Sequence, residues 1–149
     1  MKIERFEDIE GWQLARELTR NVYRLTKKSG FEKDYGLKRQ IQDAAGSAMH
    51  NIAECFDSES NAEFIRFLRY AKRSCTEVQS ELYVALDEEY ISKPEFQDVY
   101  EQARRTRAAI RGFINYLTKY ETRAKKVTIE PPNPEPLNPE PLNPEPPEP

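Results

Sequence analysis

Residues 37–56, LKRQIQDAAGSAMHNIAECF, read as a helix whose inner face is almost entirely small. With successive side chains about 100° apart, Leu37, Ile41, Ala44, Ala45, Ala48 and Ile52 fall within about a quarter of the helix circumference. A stripe of that composition lets neighbouring helices approach closely. Gln40, Ser47, Asn51 and Glu54 form a second row along one border of the stripe, where apolar side chains would be the less costly choice. Polar groups half inside a helical interface fix register or partner, which makes this row a structural seam.

Working outward from this helix, the chain divides into four amphipathic helices with short connections. The first, over 6–28, carries Trp12, Ala15, Leu18, Val22 and Leu25 at three- and four-residue spacing, with Gly30 offering a left-handed stop. The second spans 34–56. The third opens at Ser60 with Glu63 three residues on, a capping-box signature, and keeps Phe64, Leu68, Ala71, Cys75, Val78 and Leu82 on one stripe to about residue 90. The fourth starts with Ser92 and Glu95 in the same relation, then repeats Phe96, Val99, Ala103, Thr106, Ile110, Phe113 and Leu117 at heptad spacing. Nothing argues for a strand. Helices of this length joined by loops of about three to seven residues predict an all-α fold, an antiparallel up-down-up-down four-helix bundle over 1–126.

The remainder, 127–149, is a different kind of sequence. Ten of the eleven prolines lie at or beyond Pro131, where Asn-Pro-Glu-Pro-Leu begins at Asn133 and repeats at Asn138. Proline at that density forbids helix and sheet and predicts a disordered, extended tail. The tail also distorts the charge. Its five glutamates account for the formal net charge of −3, and without them 23 basic residues stand against 21 acidic ones. The folded body is mildly basic.

No run approaches the roughly 18 apolar residues of a membrane span, and the acidic first ten residues are unlike a signal peptide, so a cytoplasmic protein without a membrane role is expected. Cys55 and Cys75 read as small packing residues. His50 is the sole histidine, and a dimetal bundle needs a Glu-x-x-His on each of two helices, so no metal or other cofactor is expected. There is no Gly-rich phosphate loop and no cysteine with a histidine base. No catalytic residue is expected, and the chain reads as a non-enzyme.

The basic residues are better organised. Arg104, Arg107 and Arg111 recur at three and four residues on the fourth helix, Arg66, Arg69 and Arg73 on the third, and Arg16, Arg20 and Arg24 on the first. Such rows suit a phosphate backbone, with affinity that depends on salt rather than on sequence, and they are the candidate nucleic-acid-binding residues. The competing reading is a solvated face tied by i,i+4 pairs. The seam has a possible complement in Ser74, Glu77 and Glu81. In a hairpin turning near 58, residue 40 faces residue 77, so Gln40 is expected to meet Glu77, and Asn51 and Glu54 to be buried against partners.

Tyr35-Gly36-Leu37, Gln40-Ile41, Ala44-Ala45, Ser47 and Asn51-Ile52-Ala53-Glu54, followed by Ser60, Glu63-Phe64, Phe67-Leu68, Ala71, Ser74, Glu77 and Leu82, resemble the four-helix-bundle proteins encoded in 23S rRNA intervening sequences. That family is related to the accessory protein of diversity-generating retroelements. The resemblance covers about 6–120 and implies a homopentameric barrel without enzymatic activity, whose retroelement relatives bind nucleic acid and a reverse transcriptase. Gln42 and Asp43 stand where the family usually has two arginines, and Cys55 where it commonly has glycine. The expectation is a homo-oligomeric adaptor contacting RNA or DNA, with or without a reverse-transcriptase-like partner, with a purely structural or protein-binding bundle as the alternative.

Overall fold

The computed structural model describes residues 3–129, with side chains described through residue 120; apart from 127–129, the Pro-rich tail lies outside the described residues. A 3-10 turn, Phe6–Asp8, leads into α1 (Glu10–Thr26), α2 (Ser29–Lys33) and α3 (Tyr35–Glu54). A second 3-10 turn, Cys55–Asp57, leads into α4 (Asn61–Asp87) and α5 (Lys93–Ile129). No strand occurs among the described residues, and none of the described helices is long and apolar enough to cross a membrane. The fold is an all-α helical bundle.

The four long helices surround one elongated core. α1 packs on α3 and α5, and α4 packs on the same two from the other side. The six residues of the small stripe on α3 are all buried. The close approach they permit is visible at Thr19, whose hydroxyl lies 2.8 Å from the Ala15 carbonyl oxygen and 3.0 Å from that of Ala45 on α3. Gly11 of α1 has the same significance, because a Cβ there would stand 3.2 Å from Ile110 of α5. The core residues gather toward the two ends of the bundle. One group contains Leu18, Val22, Phe31, Ile41, Val78 and Leu82, the other Trp12, Ile52, Leu68, Cys75 and Ile110.

Helix starts follow the side-chain chemistry. Ser60 Oγ accepts from the Glu63 amide at 3.1 Å, and Ser92 Oγ from the Glu95 amide at 3.3 Å. The Glu95 carboxylate accepts in return from the Ser92 amide at 2.9 Å, completing a capping box, whereas that of Glu63 reaches one residue further back, to the Glu59 amide. Asp34 caps α3 by accepting from the Leu37 amide at 3.1 Å.

Three expectations need correction. Gly30 is no left-handed stop, since no described glycine has positive φ; α1 ends at Thr26 and the connection folds into the one-turn α2, which buries Phe31. Space is tight there instead, because a Cβ would lie 3.1 Å from the Tyr90 ring, which would have to give by a few tenths of an ångström. On α5 the heptad row drifts out of the core. Val99, Ala103, Thr106 and Ile110 are buried, Phe113 is half-exposed, and Ile114 takes the inner position. A strict seven-residue row rotates by about 20° per heptad on a straight helix, which accounts for the shift. On α4, Ile65 is buried where Phe64 was expected, for the same angular reason.

Candidate nucleic-acid interface

The α5 arginine row and Arg69 of the α4 row lie toward one groove, whereas Arg66 and Arg73 stand on the outward face of α4 beside it. Tyr83 of α4 meets Phe96 and Tyr100 of α5 with ring centroids 4.8 and 5.8 Å apart, which fixes the faces that α4 and α5 present to their shared groove. Positions seven apart share a helix face, so Thr76 and Arg69 continue the line of Tyr83, and Arg107 continues that of Tyr100. Arg66 and Arg73 flank Arg69 at three and four residues. Arg104 and Arg111 flank Arg107 in the same way. The edge-on contact of Phe64 with Phe113, 5.7 Å between centroids, holds the two helices together at the arginine end.

All six guanidinium-bearing residues are exposed. Arg104 grips Glu101 with two bonds, Nε to Oε2 at 2.8 Å and Nη2 to Oε1 at 2.5 Å, and these hydrogen bonds hold the Glu101 carboxyl below its ordinary range. Arg66 lies 3.8 Å from Glu63. Arg69, Arg73, Arg107 and Arg111 have no carboxylate within 4.0 Å among the described residues. Four unpaired cations on neighbouring faces of α4 and α5 make a local positive field that the near-zero charge of the whole body conceals.

The third row lies elsewhere. Arg24 shares a shallow groove between α1 and α5 with Asn21, Glu95 and Asp98, and it too has no ion pair among the described residues, Glu95 being taken by Lys28. Arg16 stacks over the Trp12 ring at 5.9 Å. Arg20, exposed like them, lies beside Arg16, Trp12 and Glu17. The α1 row therefore does not extend the α4–α5 face.

The polar seam splits. Asn51 Nδ2 donates to both the carbonyl oxygen and the hydroxyl of Ser47 at 2.9 Å, and Ser47 Oγ lies 2.9 Å from Ser74 Oγ on α4. Gln40, Glu54 and Glu77 are exposed instead, and no hydrogen bond joins Gln40 to Glu77 among the described residues. The reason is register: the Ser47–Ser74 contact puts residue 40 opposite residue 81, one turn from where a tight hairpin would place it. Glu81 is 7% exposed, and its Oε2 is buried without a hydrogen-bond partner among the described residues. Burial, reinforced by Glu77 and Asp43, pushes its carboxyl up to about 8.

Other polar ties escaped the sequence reading. Asn21 Nδ2 donates to Gln102 Oε1 at 2.8 Å, and Gln42 Nε2 to Thr26 Oγ1 at 2.9 Å. Gln102 was detectable, because it lies three residues after Val99 and four before Thr106 on the inner stripe. Gln42 shows what occupies a position where the resembled family carries arginine: a bond between α3 and α1.

Burial pushes the Cys55 and Cys75 thiols up to about 12, with Arg107 partly opposing the effect at Cys75, so both are neutral packing groups at physiological pH. His50 is exposed, and no group of three His, Cys, Asp or Glu side chains that could hold a metal occurs among the described residues.

Comparisons with known proteins agree with the architecture. The model of the 23S rRNA-intervening sequence protein family matches residues 7–112. A solved structure from Bacteroides thetaiotaomicron VPI-5482, a protein of unknown function from the S23 ribosomal protein family, superposes with a TM-score of 0.66 at 21% identity, covering 70% of this chain and 97% of that one. At that identity the likeness speaks for the fold alone. No curated protein matches the chain. With more than half of its length matched by the family model, the chain belongs to the 23S rRNA-intervening sequence protein family.

Proposed function

We propose that the chain is a non-catalytic, self-assembling adaptor that binds RNA or DNA through the α4–α5 groove, on a bundle whose long helices run up-down-up-down. The single observation that carries the binding reading is the line of Arg69 of α4 with Arg104, Arg107 and Arg111 of α5 toward one groove, with Arg66 and Arg73 exposed on the adjoining face of α4; four of these six are without an acidic partner among the described residues. The pairings Gly11–Ile110 with Asn21–Gln102, and Thr19–Ala45 with Thr26–Gln42, favour antiparallel neighbours, because one residue number rises as the other falls. The test is a binding titration across salt concentrations. Neutralising phosphates with several arginines gives a steep negative slope of log affinity on log salt, and replacing Arg104, Arg107 and Arg111 by alanine should reduce it by about two units. Changing Arg16, Arg20 and Arg24 should reduce it less. Affinity indifferent to salt would sink the reading.

Self-assembly has its own support. A groove of about 670 Å³ between the N-terminal segment and α5 is lined by Ile3, Ile9, Gly11, Ala109, Gly112 and Phe113 together with the polar Asp8, Glu10 and Gln13, a mostly small and apolar surface that would accept a helix of a second copy. A side chain at Gly112 would meet nothing within 4 Å inside the subunit. Gly112→Glu should therefore lower the mass seen by light scattering while leaving the helical content intact. An unchanged mass places assembly elsewhere. If mass responds but nucleic acid never binds, the chain is a purely structural assembly bundle.

A further inference from the structure

We infer that the α4–α5 groove takes a single-stranded nucleic acid, its phosphates along the arginine rows and its bases stacked on the Tyr83–Phe96–Tyr100 cluster; this rests on the nucleic-acid reading above. The three rings form a closed triangle, with centroids 4.8, 5.8 and 5.3 Å apart, on the groove toward which Arg69 and the α5 arginines lie. Tyr83 is 50% exposed, while Phe96 and Tyr100 are half-buried behind it. A half-exposed ring held by two others is preorganised for stacking, and little side-chain freedom is lost when a base covers it.

The spacing along the groove suits a strand. With a helical rise of about 1.5 Å per residue, Tyr100 lies about 6 Å along the axis from Arg104 and about 16 Å from Arg111, and the strip from Arg69 to Tyr83 is about 21 Å long. Phosphates and bases of one extended strand alternate within such a distance. Thr76, between Arg69 and Tyr83, is uncharged. Asp87, exposed one turn beyond Tyr83, ends the strip with a charge that repels phosphate. A duplex has no use for the aromatic end, since its base faces are already covered by stacking. A single strand uses both halves.

The experiment is fluorescence anisotropy with a labelled single-stranded RNA of mixed sequence, the DNA of the same sequence, and the matching duplex, all at one salt concentration. The single strands should bind about tenfold more tightly than the duplex. Tyr83→Leu should weaken single-strand binding about tenfold, leave duplex binding and the salt slope unchanged, and leave the fold intact because Tyr83 is a surface residue. Tyr83→Phe keeps the stacking face and should bind as the unmodified protein does. Equal affinity for duplex and single strand, or full single-strand affinity in Tyr83→Leu, overturns this inference and leaves the arginine reading standing. Binding of none of the three nucleic acids overturns both.

Discussion

Glu81 is the side chain whose environment disagrees most with its chemistry. It sits one turn past Glu77, across from α3, with one carboxylate oxygen buried and without a hydrogen-bond partner among the described residues. Its folded-state value of about 8 lies above the unfolded value of 4.5, so the native state holds a proton that the unfolded chain releases between those two limits. Stability must then fall as pH rises from about 4.5 to 8, and level off above. Glu81→Gln removes this dependence. Thermal or urea unfolding should find the variant more stable by on the order of 2 kcal/mol at pH 8 and nearly equal to the unmodified protein at pH 5. Parallel pH profiles for the two proteins would refute the assignment. Ser47, Asn51 and Ser74 show the contrasting outcome on the same border, because short polar side chains can satisfy one another where a buried carboxylate cannot.

At the scale of the elements, helix ends decide most of what happens. α4 stops in a Schellman motif, with the Tyr90 amide donating to the Ala85 carbonyl at 2.9 Å and the Glu89 amide to that of Leu86 at 3.0 Å. The motif needs a left-handed residue, and Glu89 supplies it at φ 60°, the single non-glycine residue with positive φ among those described. An L-residue there costs about 1 kcal/mol or more, which glycine avoids at the expense of a freer unfolded chain. Glu89→Gly should therefore raise stability by about 0.5–1 kcal/mol, seen as a higher urea midpoint with an unchanged slope; a lower midpoint would mean that the Glu89 side chain contributes more than its backbone costs. Ends written in neighbouring residues were legible beforehand, as Ser60 with Glu63 and Ser92 with Glu95 demonstrate. α2 was not, because its fold depends on Phe31 finding the Tyr90 ring 5.5 Å away and on the Tyr90 hydroxyl donating to Asp34, partners far away along the chain. A glycine read locally suggested a stop; the structure uses it for clearance.

For the whole molecule, the arginine rows were legible as rows, but their convergence was not, since it depends on which helices are neighbours and on the faces that Tyr83 and Tyr100 turn toward each other. Folding brings these cations together, whereas in the unfolded chain the two rows lie some thirty residues apart. That juxtaposition has an energetic sign. Like charges gathered on one groove oppose folding, and added salt screens them within a Debye length of about 10 Å at 0.1 M. Removing one of them isolates the effect from the favourable pairs, such as Lys28 with Glu95, that salt weakens. Arg69→Ala should raise stability by about 0.2–1 kcal/mol at low salt, and the gain should vanish at high salt. Its affinity for a polyanion should drop in the same buffer in which its stability rises. Such opposed changes mark a charge kept for a ligand rather than for the fold. If Arg69→Ala instead loses stability at low salt, the arginines are tied into the bundle's own surface network, and the groove is a solvated face.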